Sequence, residues 1–273
     1  MPSEFWMYGL PTYGVLIGSW LLACAPFFFL DRTGWAEKYR IQRTATGHPV
    51  RAATAPEIRA KALRLVVFNW VWIAVAVVAA SPALAWLFPV DAPSPSLLQA
   101  PAVGALWFVM HDLSFYTYHR TLHSVPWLYK HVHSLHHAFS APFAWSSHAV
   151  HPAELALESV GAMLGPLAWS ATAGGLSLHA WWVWLAFIQL QGVMDHCGYD
   201  LPCDPFGALP GWGGTRFHDE HHERFSGNYA AALSIIDDVM GTRLKEREKS
   251  TTDYRRYHRC RARRADCGGR GPE

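Results

Sequence analysis

Residues 9–30, GLPTYGVLIGSWLLACAPFFFL, run for twenty-two positions without a Lys, Arg, Asp or Glu. A bilayer core of about 30 Å takes roughly 20 mostly apolar residues as a helix, so this run predicts a membrane span. It offers no polar face to water, which argues against a surface helix of a soluble all-α protein. The first basic residue, Arg32, follows the run, whereas a signal peptide carries its basic residues in front. Residues 65–90 form a second apolar run, and Asn69 and Pro82 within it predict tilt, a kink or a re-entrant end. A third, 97–110, leads directly into His111 and Asp112. Two more, 155–173 and 178–193, are joined through Gly174-Gly175 and predict a helical hairpin.

The loop 31–64 carries eight Lys or Arg, which places it in the cytosol by the positive-inside rule. The turn 91–96 has no basic residue and falls on the other side. The third run then returns the chain to the cytosol, and the hairpin leaves and re-enters on that same face. The expected fold is all-α and polytopic, with four or five transmembrane helices and a cytosolic cap. Residues 1–110 hold the first spans and the cytosolic loop, 111–242 the cap with its membrane hairpin, and 243–273 a basic tail. The tail holds eleven Lys or Arg against five Asp or Glu, including Arg255, Arg256, Arg259, Arg261, Arg263 and Arg264. It reads as a disordered, topology-fixing segment, with docking of an acidic carrier or anionic lipid as the other reading. The formal charge of +2 therefore leaves the rest of the chain net negative, with no general basic surface for nucleic acid. At 273 residues, 51% hydrophobic and 16% charged, the chain is neither collagen-like, disordered nor a coiled coil. Its five cysteines, at scattered spacings, read as reduced thiols.

Fourteen of the sixteen histidines fall between His111 and His222. His119 and His123 stand at i and i+4, on one face of a helix. Ser124 and Pro126 suit the start of a new helix, on which His133, His136 and His137 stand at i, i+3 and i+4. After the turn-forming residues 210–214, Thr215 is placed to cap a helix carrying His218, His221 and His222 at the same spacing. A lone histidine is an ordinary core or surface residue. Eight in three groups at helical spacing on one side of a membrane are a metal-binding pattern. Neutral imidazole suits zinc, copper, iron or nickel, and eight ligands exceed one ion, so two metal ions are implied. A structural zinc closes its shell with four ligands. Two octahedral irons with four or five protein ligands each keep positions open for oxygen and substrate, and iron is favoured on that functional ground. The chain has no His-Glu-x-x-His protease motif and no Gly-x-Ser-x-Gly elbow.

The order His-x3-His, His-x2-His-His, His-x2-His-His resembles the signature of the fatty acid hydroxylase/sterol desaturase superfamily. The surroundings resemble its sterol C4-methyl oxidase and cholesterol 25-hydroxylase branch: Lys38-Tyr39-Arg40-Ile41-Gln42, Ala141-Pro142-Phe143, His151-Pro152-Ala153-Glu154, Asp195-His196-Cys197-Gly198-Tyr199 and Gly227-Asn228-Tyr229-Ala230. The likeness covers roughly residues 38–242. It implies an O2-dependent monooxygenase with two non-haem Fe ions, fed by NAD(P)H through cytochrome b5 or a similar carrier and its reductase. The reaction implied is insertion of oxygen into an unactivated C–H bond of a lipid, most closely a sterol methyl group. Sphingoid bases, fatty acyl chains and sterol side chains are the alternative substrates, since the boxes position metal and name no residue for substrate selection. The resemblance also implies an endoplasmic reticulum membrane with the site facing the cytosol, a bacterial inner membrane being the other address.

His196 matches a further ligand position of the family, with a helix-terminal cap as its other reading. The expected metal set is His119, His123, His133, His136, His137, His196, His218, His221 and His222. His148 and His151 stay open between ligand and turn-forming roles, while His48, His111, His131, His179 and His258 read as ordinary residues. Asp112 and Tyr116 read either as orienters of imidazoles or as interfacial anchors. Trp70, Trp72, Trp181, Trp182 and Trp184 read as belt or helix-packing residues before a sterol-stacking surface. Outside enzymes, the rival is a metal-binding membrane transporter or sensor. Such a protein is expected to hold its ligands within the spans near the bilayer midplane, whereas these boxes lie in polar segments.

Overall fold

The computed structural model of the chain describes residues 2–202, 204, 206–207 and 209–245, and among these it is helical without a strand. Helix α1, Leu10–Thr33, continues a π-helical stretch Phe5–Gly9 and stops at Gly34, whose φ of 67° places a left-handed residue at the helix end. Helix α2, Pro56–Ala79, starts on a proline, which has no backbone N–H to leave unsatisfied in the first turn. The second apolar run breaks, as Pro82 predicts, at Ala80, and the short α3, Ser81–Leu87, follows. Helix α4, Ala100–Ser124, extends the third run without interruption, so one rod carries apolar residues at one end and His119 and His123 at the other. After α5, Pro126–His131, the hairpin is formed by α6, Pro152–Ala173, and α7, Leu178–Asp195. Two short helices, α8, Thr215–Arg224, and α9, Ser234–Met240, complete the described chain.

Among the described residues, Phe5–Thr33 and Pro56–Ala79 are the helices long and apolar enough to cross a bilayer by length and composition. The other three long helices are diluted by the groups they bring to the interior: His111 and Asp112 on α4, Glu154 and Glu158 on α6, Gln189 and Gln191 on α7. Outward-facing Leu22, Phe29, Val67 and Val71 leave an apolar surface on α1 and α2, as a lipid-facing wall requires. Inside, α4 and α6 meet closely because Gly165 lies against Trp107. Trp184 donates to the Ala162 carbonyl and Trp182 to Thr12, each at 2.8 Å, and Trp181 stacks on Phe88. The tryptophans of α7 thus serve helix packing.

The connections sort to two ends. The Ser177 N–H donates to the Pro93 carbonyl at 3.0 Å, which joins the turn 91–96 to the hairpin turn. The 22 residues of α6 separate that end from the histidines by about 33 Å, close to a hydrocarbon thickness. At the histidine end, Asp31 receives Arg40, Arg59 at 2.7 Å and Tyr199 at 2.8 Å. Gln42 donates to the Ser140 carbonyl at 2.8 Å and to Asp219 at 2.9 Å. The basic loop and the three boxes therefore share one face. Cys24 and Cys197 are buried free thiols, while Cys203, Cys260, Cys267, His258 and the tail's arginines from Arg255 to Arg264 lie outside the described residues.

Candidate metal centre

The local structure of each box decides where its imidazoles go. On α4, His119 and His123 are one turn apart and face the same point. The second box is not α-helical: α5 ends at His131, and His133–Ala138 is a 3-10 turn, so its three imidazoles do not point one way. His133 and His137 turn toward the first pair, and His136 turns away from it. On α8, His221 joins the first group while His218 and His222 join His136 and His196. The two expected caps are also different. Ser124 is the last residue of α4 and bonds back to the Arg120 carbonyl, and Thr215 lies inside α8, its hydroxyl donating to the Tyr199 carbonyl at 2.9 Å. Gly214, with φ 70°, occupies the cap position of α8.

All nine expected histidines come together, in one group of five and one of four, with the ligand nitrogens of each group within 4.8 Å of one another. In the first, Nε2 of His133 lies 3.1 Å from that of His119, 2.8 Å from that of His123 and 3.0 Å from that of His137, and His221 lies 3.1 Å from His137. In the second, His196 lies 3.2 Å from both His136 and His218, and His222 3.2 Å from His218. The His119–His133 contact is not a hydrogen bond. Nδ1 of His119 donates to the Tyr229 carbonyl, that of His221 to Gly227, that of His196 to Gly192 and that of His133 to the Glu154 carboxyl, at 2.7 to 2.8 Å. Those acceptors fix the proton of these four rings on Nδ1, so their Nε2 carries a bare lone pair, while Nδ1 of His136, His137, His218 and His222 has no hydrogen-bond partner. Lone pairs converging at about 3 Å repel unless a cation sits among them. Two imidazoles bound at right angles with metal–nitrogen bonds of about 2.0–2.1 Å have nitrogens about 2.9 Å apart, so the donor set fits a first-row metal ion in each group.

Burial keeps these rings neutral, the form that binds metal. It lowers His123 and His196 to about 4 and His221 to about 3, and holds the other six far below the ordinary imidazole range, with neighbouring imidazoles adding to the effect. Asp219, inside the third box, stands outside both groups; burial raises its carboxyl to about 7 while Gln42 donates to it.

Asp112 and Tyr116 do not orient imidazoles directly. The Asp112 carboxylate receives the N–H groups of Ala231, Ala232 and Leu233, and Asp237 receives those of Tyr229 and Ala230 at 2.8 and 2.9 Å. Together they clamp the segment whose Gly227 and Tyr229 carbonyls hold His221 and His119. Tyr116 bonds to Thr242 and receives Arg120. His151 caps α6, accepting from the Ala153 N–H at 3.1 Å. His148 is buried against Trp70 at 4.9 Å and belongs to neither group. His48, His131 and His179 are exposed, but His111, read as ordinary, is buried and lines a cavity. The sequence reading gave no role to Glu154, Glu158 or Asp237. For Glu154 the signal was present, in the quoted His-Pro-Ala-Glu motif.

The cavity has a volume of about 420 Å³ and runs between the long helices, walled by Leu16, Ala76, Leu155 and Leu185, with His196 and His218 of the second group at its inner end. An apolar chamber beside a metal-binding cluster can hold a lipid against it and keep water out.

The family model for fatty acid hydroxylase matches residues 104–242. Methylsterol monooxygenase 2-2 of Arabidopsis thaliana is 34% identical over 88% of this chain and 87% of its own, and methylsterol monooxygenase 2-1 of the same plant is 31% identical over 88% and 89%. Very-long-chain aldehyde decarbonylase GL1-11 of Oryza sativa subsp. indica is 31% identical over 88% and 87%. No solved structure matches.

Proposed function

We propose, from the premise that this chain belongs to the fatty acid hydroxylase family, that it is a membrane monooxygenase oxidising a methyl group of a sterol. The observation that carries the proposal is the convergence of Nε2 lone pairs beside an apolar cavity. His119, His123, His133, His137 and His221 would hold one iron, and His136, His196, His218 and His222 the other. The two irons supply, when bound, the activation of O2 needed to oxidise an unactivated C–H bond. The overall change is R–CH3 + O2 + 2 e⁻ + 2 H⁺ → R–CH2OH + H2O, with the electrons taken from NAD(P)H through a cytochrome b5-type carrier and its reductase. The chain's own part is to fix His119, His133, His196 and His221 through Nδ1–H acceptors and to hold the substrate between the helices.

Four or five of the long helices span the membrane, and the shared face of basic loop and histidines is cytosolic, in an endoplasmic reticulum membrane. Residues 1–110 supply the first spans, 111–242 the catalytic region and 243–273 the basic tail. The rice relatives favour a second reading, in which the substrate is a long-chain acyl derivative.

Sterol and lipid mass spectrometry on yeast lacking its own C4-methyl oxidase separates these readings. Loss of accumulated 4,4-dimethylsterols with the intact chain but not with His136→Ala is the expected result. A new oxidised acyl product beside unchanged 4,4-dimethylsterols would transfer the activity to the second reading. No lipid change despite expression and bound iron would overturn both and favour a metal transporter or sensor.

A further inference from the structure

Several polar side chains of the cavity wall are committed, while Nδ1 of His111, Nδ1 of His148 and Nε1 of Trp181 stand without a hydrogen-bond partner. Thr12 receives Trp182, Ser147 receives Trp20, Ser159 bonds to the Leu155 carbonyl, and Gln191 donates to Asp195. Of the two carboxyls on the wall, Asp195 receives Gln191 and Glu158 has no such donor. It lines the cavity from α6, half-buried, and among the described residues no donor lies within hydrogen-bonding distance of its carboxyl. The two groups nearest it in charge are no help: Glu154 is another acid, and the Tyr118 hydroxyl also stands without a hydrogen-bond partner. An ionisable side chain inside a membrane helix bundle without a protein partner is costly and marks a functional contact.

Its position is as informative as its chemistry. Glu158 stands one helical turn beyond Glu154, which holds His133, so its carboxyl lies about 6 Å along the helix from the residue that anchors the first metal group. It therefore belongs to the metal end of an otherwise apolar chamber. The turn end, some 20 Å farther along α6, offers the cavity apolar walls such as Val77, Ala80 and Leu84.

We propose that the Glu158 carboxyl is the hydrogen-bonding anchor for a substrate alcohol, so that the substrate enters with its hydroxyl end toward the metal groups and its hydrocarbon toward the turn end. The inference rests on the sterol reading above and sharpens it. In a 4-methylsterol the hydroxyl-bearing carbon adjoins the carbon that bears the methyl groups, so an anchor near the metal end presents those methyls to the site. A side-chain hydroxylase needs the opposite orientation, with its hydroxyl anchor at the far end.

The test is equilibrium displacement of a fluorescent sterol from the full chain in nanodiscs, using a 4,4-dimethylsterol and its 3-O-methyl ether. The intact protein is expected to bind the alcohol about tenfold more tightly than the ether, the yield of one well-made hydrogen bond to a charged or buried acceptor. Glu158→Met is expected to bind both alike, and Glu158→Gln, which keeps an acceptor oxygen, to retain most of the preference. Iron content and helical circular dichroism of each variant report on folding independently of binding. An undiminished preference in Glu158→Met overturns the assignment while leaving the sterol reading intact. Failure of the intact chain to bind either sterol overturns the sterol reading, and the anchor with it.

Discussion

Removing the Glu154 carboxyl tests the reading of the first histidine group most directly. Its Oε1 accepts from His133 Nδ1 at 2.7 Å, and both side chains are almost wholly buried, at 3% and 0% exposure. Water therefore cannot replace the acceptor. A hydrogen bond to a charged group contributes about 1.5–3 kcal/mol, and that energy is realised in the metal-bound state because it fixes both the ring orientation and the tautomer that bares Nε2. Converted to affinity, Glu154→Ala should weaken one of two iron equivalents by about ten- to a hundredfold, the range expected for partners behind a ligand. Glu154→Gln keeps an oxygen acceptor and should lose only a fraction of this. The assay is anaerobic Fe(II) titration of iron-depleted protein against a competing chelator. Two equivalents bound by Glu154→Ala at intact-protein affinity would refute the reasoning, because His133 would then need no acceptor to serve as a ligand.

The remaining expectations concern the second group, the third box, helix packing and pH. His136→Ala and His221→Ala should each abolish turnover and lower bound iron while membrane insertion is retained; full activity in either removes that residue from the site. Asp219→Asn should cost less activity than His218→Ala, since Asp219 meets Gln42 and neither metal group, and equal losses would assign the carboxylate a direct part. A methyl at Gly165 would lie 2.6 Å from Cβ and Cγ of Trp107, so Gly165→Ala should destabilise the α4–α6 contact by about 1–3 kcal/mol, read as a lower thermal midpoint in detergent. Iron-depleted protein should lose stability as pH falls from about 6.5. Unfolded imidazoles take up protons there, whereas folded His123 and His196 do so only near 4 and His221 near 3, so the unfolded chain binds more protons throughout that window. An unchanged midpoint between pH 7.5 and pH 5 would contradict this.

Apolar runs and box spacing are local signals, and both were legible. Each of the five runs lies mostly within a helix or helix pair, and the break at Ala80 follows from Pro82. The division of the second box between two groups was not legible, because i, i+3, i+4 spacing fits one face of an α-helix and nothing local announces a 3-10 turn at His133. Ser124 and Thr215 are good cap residues by type, yet the chain put neither side chain to that use, Gly214 taking the second position. The clamps were hidden for a different reason. Asp112 meets Ala231, Ala232 and Leu233 across about 120 positions, and only the packing of α4 against the segment after α8 makes that pairing. Glu158 escaped notice because a single acid in an apolar run looks like a defect until the chamber it faces is visible.

The division of histidines also orders the birth of the protein. Four members of the five-histidine group lie between His119 and His137, upstream of the hairpin, with His221 last to arrive. The other group has only His136 upstream, while His196, His218 and His222 leave the ribosome after the hairpin has been made. A metal captured early could occupy the first place incompletely, but the second does not exist until α6 and α7 have turned back. If each group holds a metal, loading of the second follows formation of the hairpin, and a chain whose hairpin fails to form is left with a half-built site.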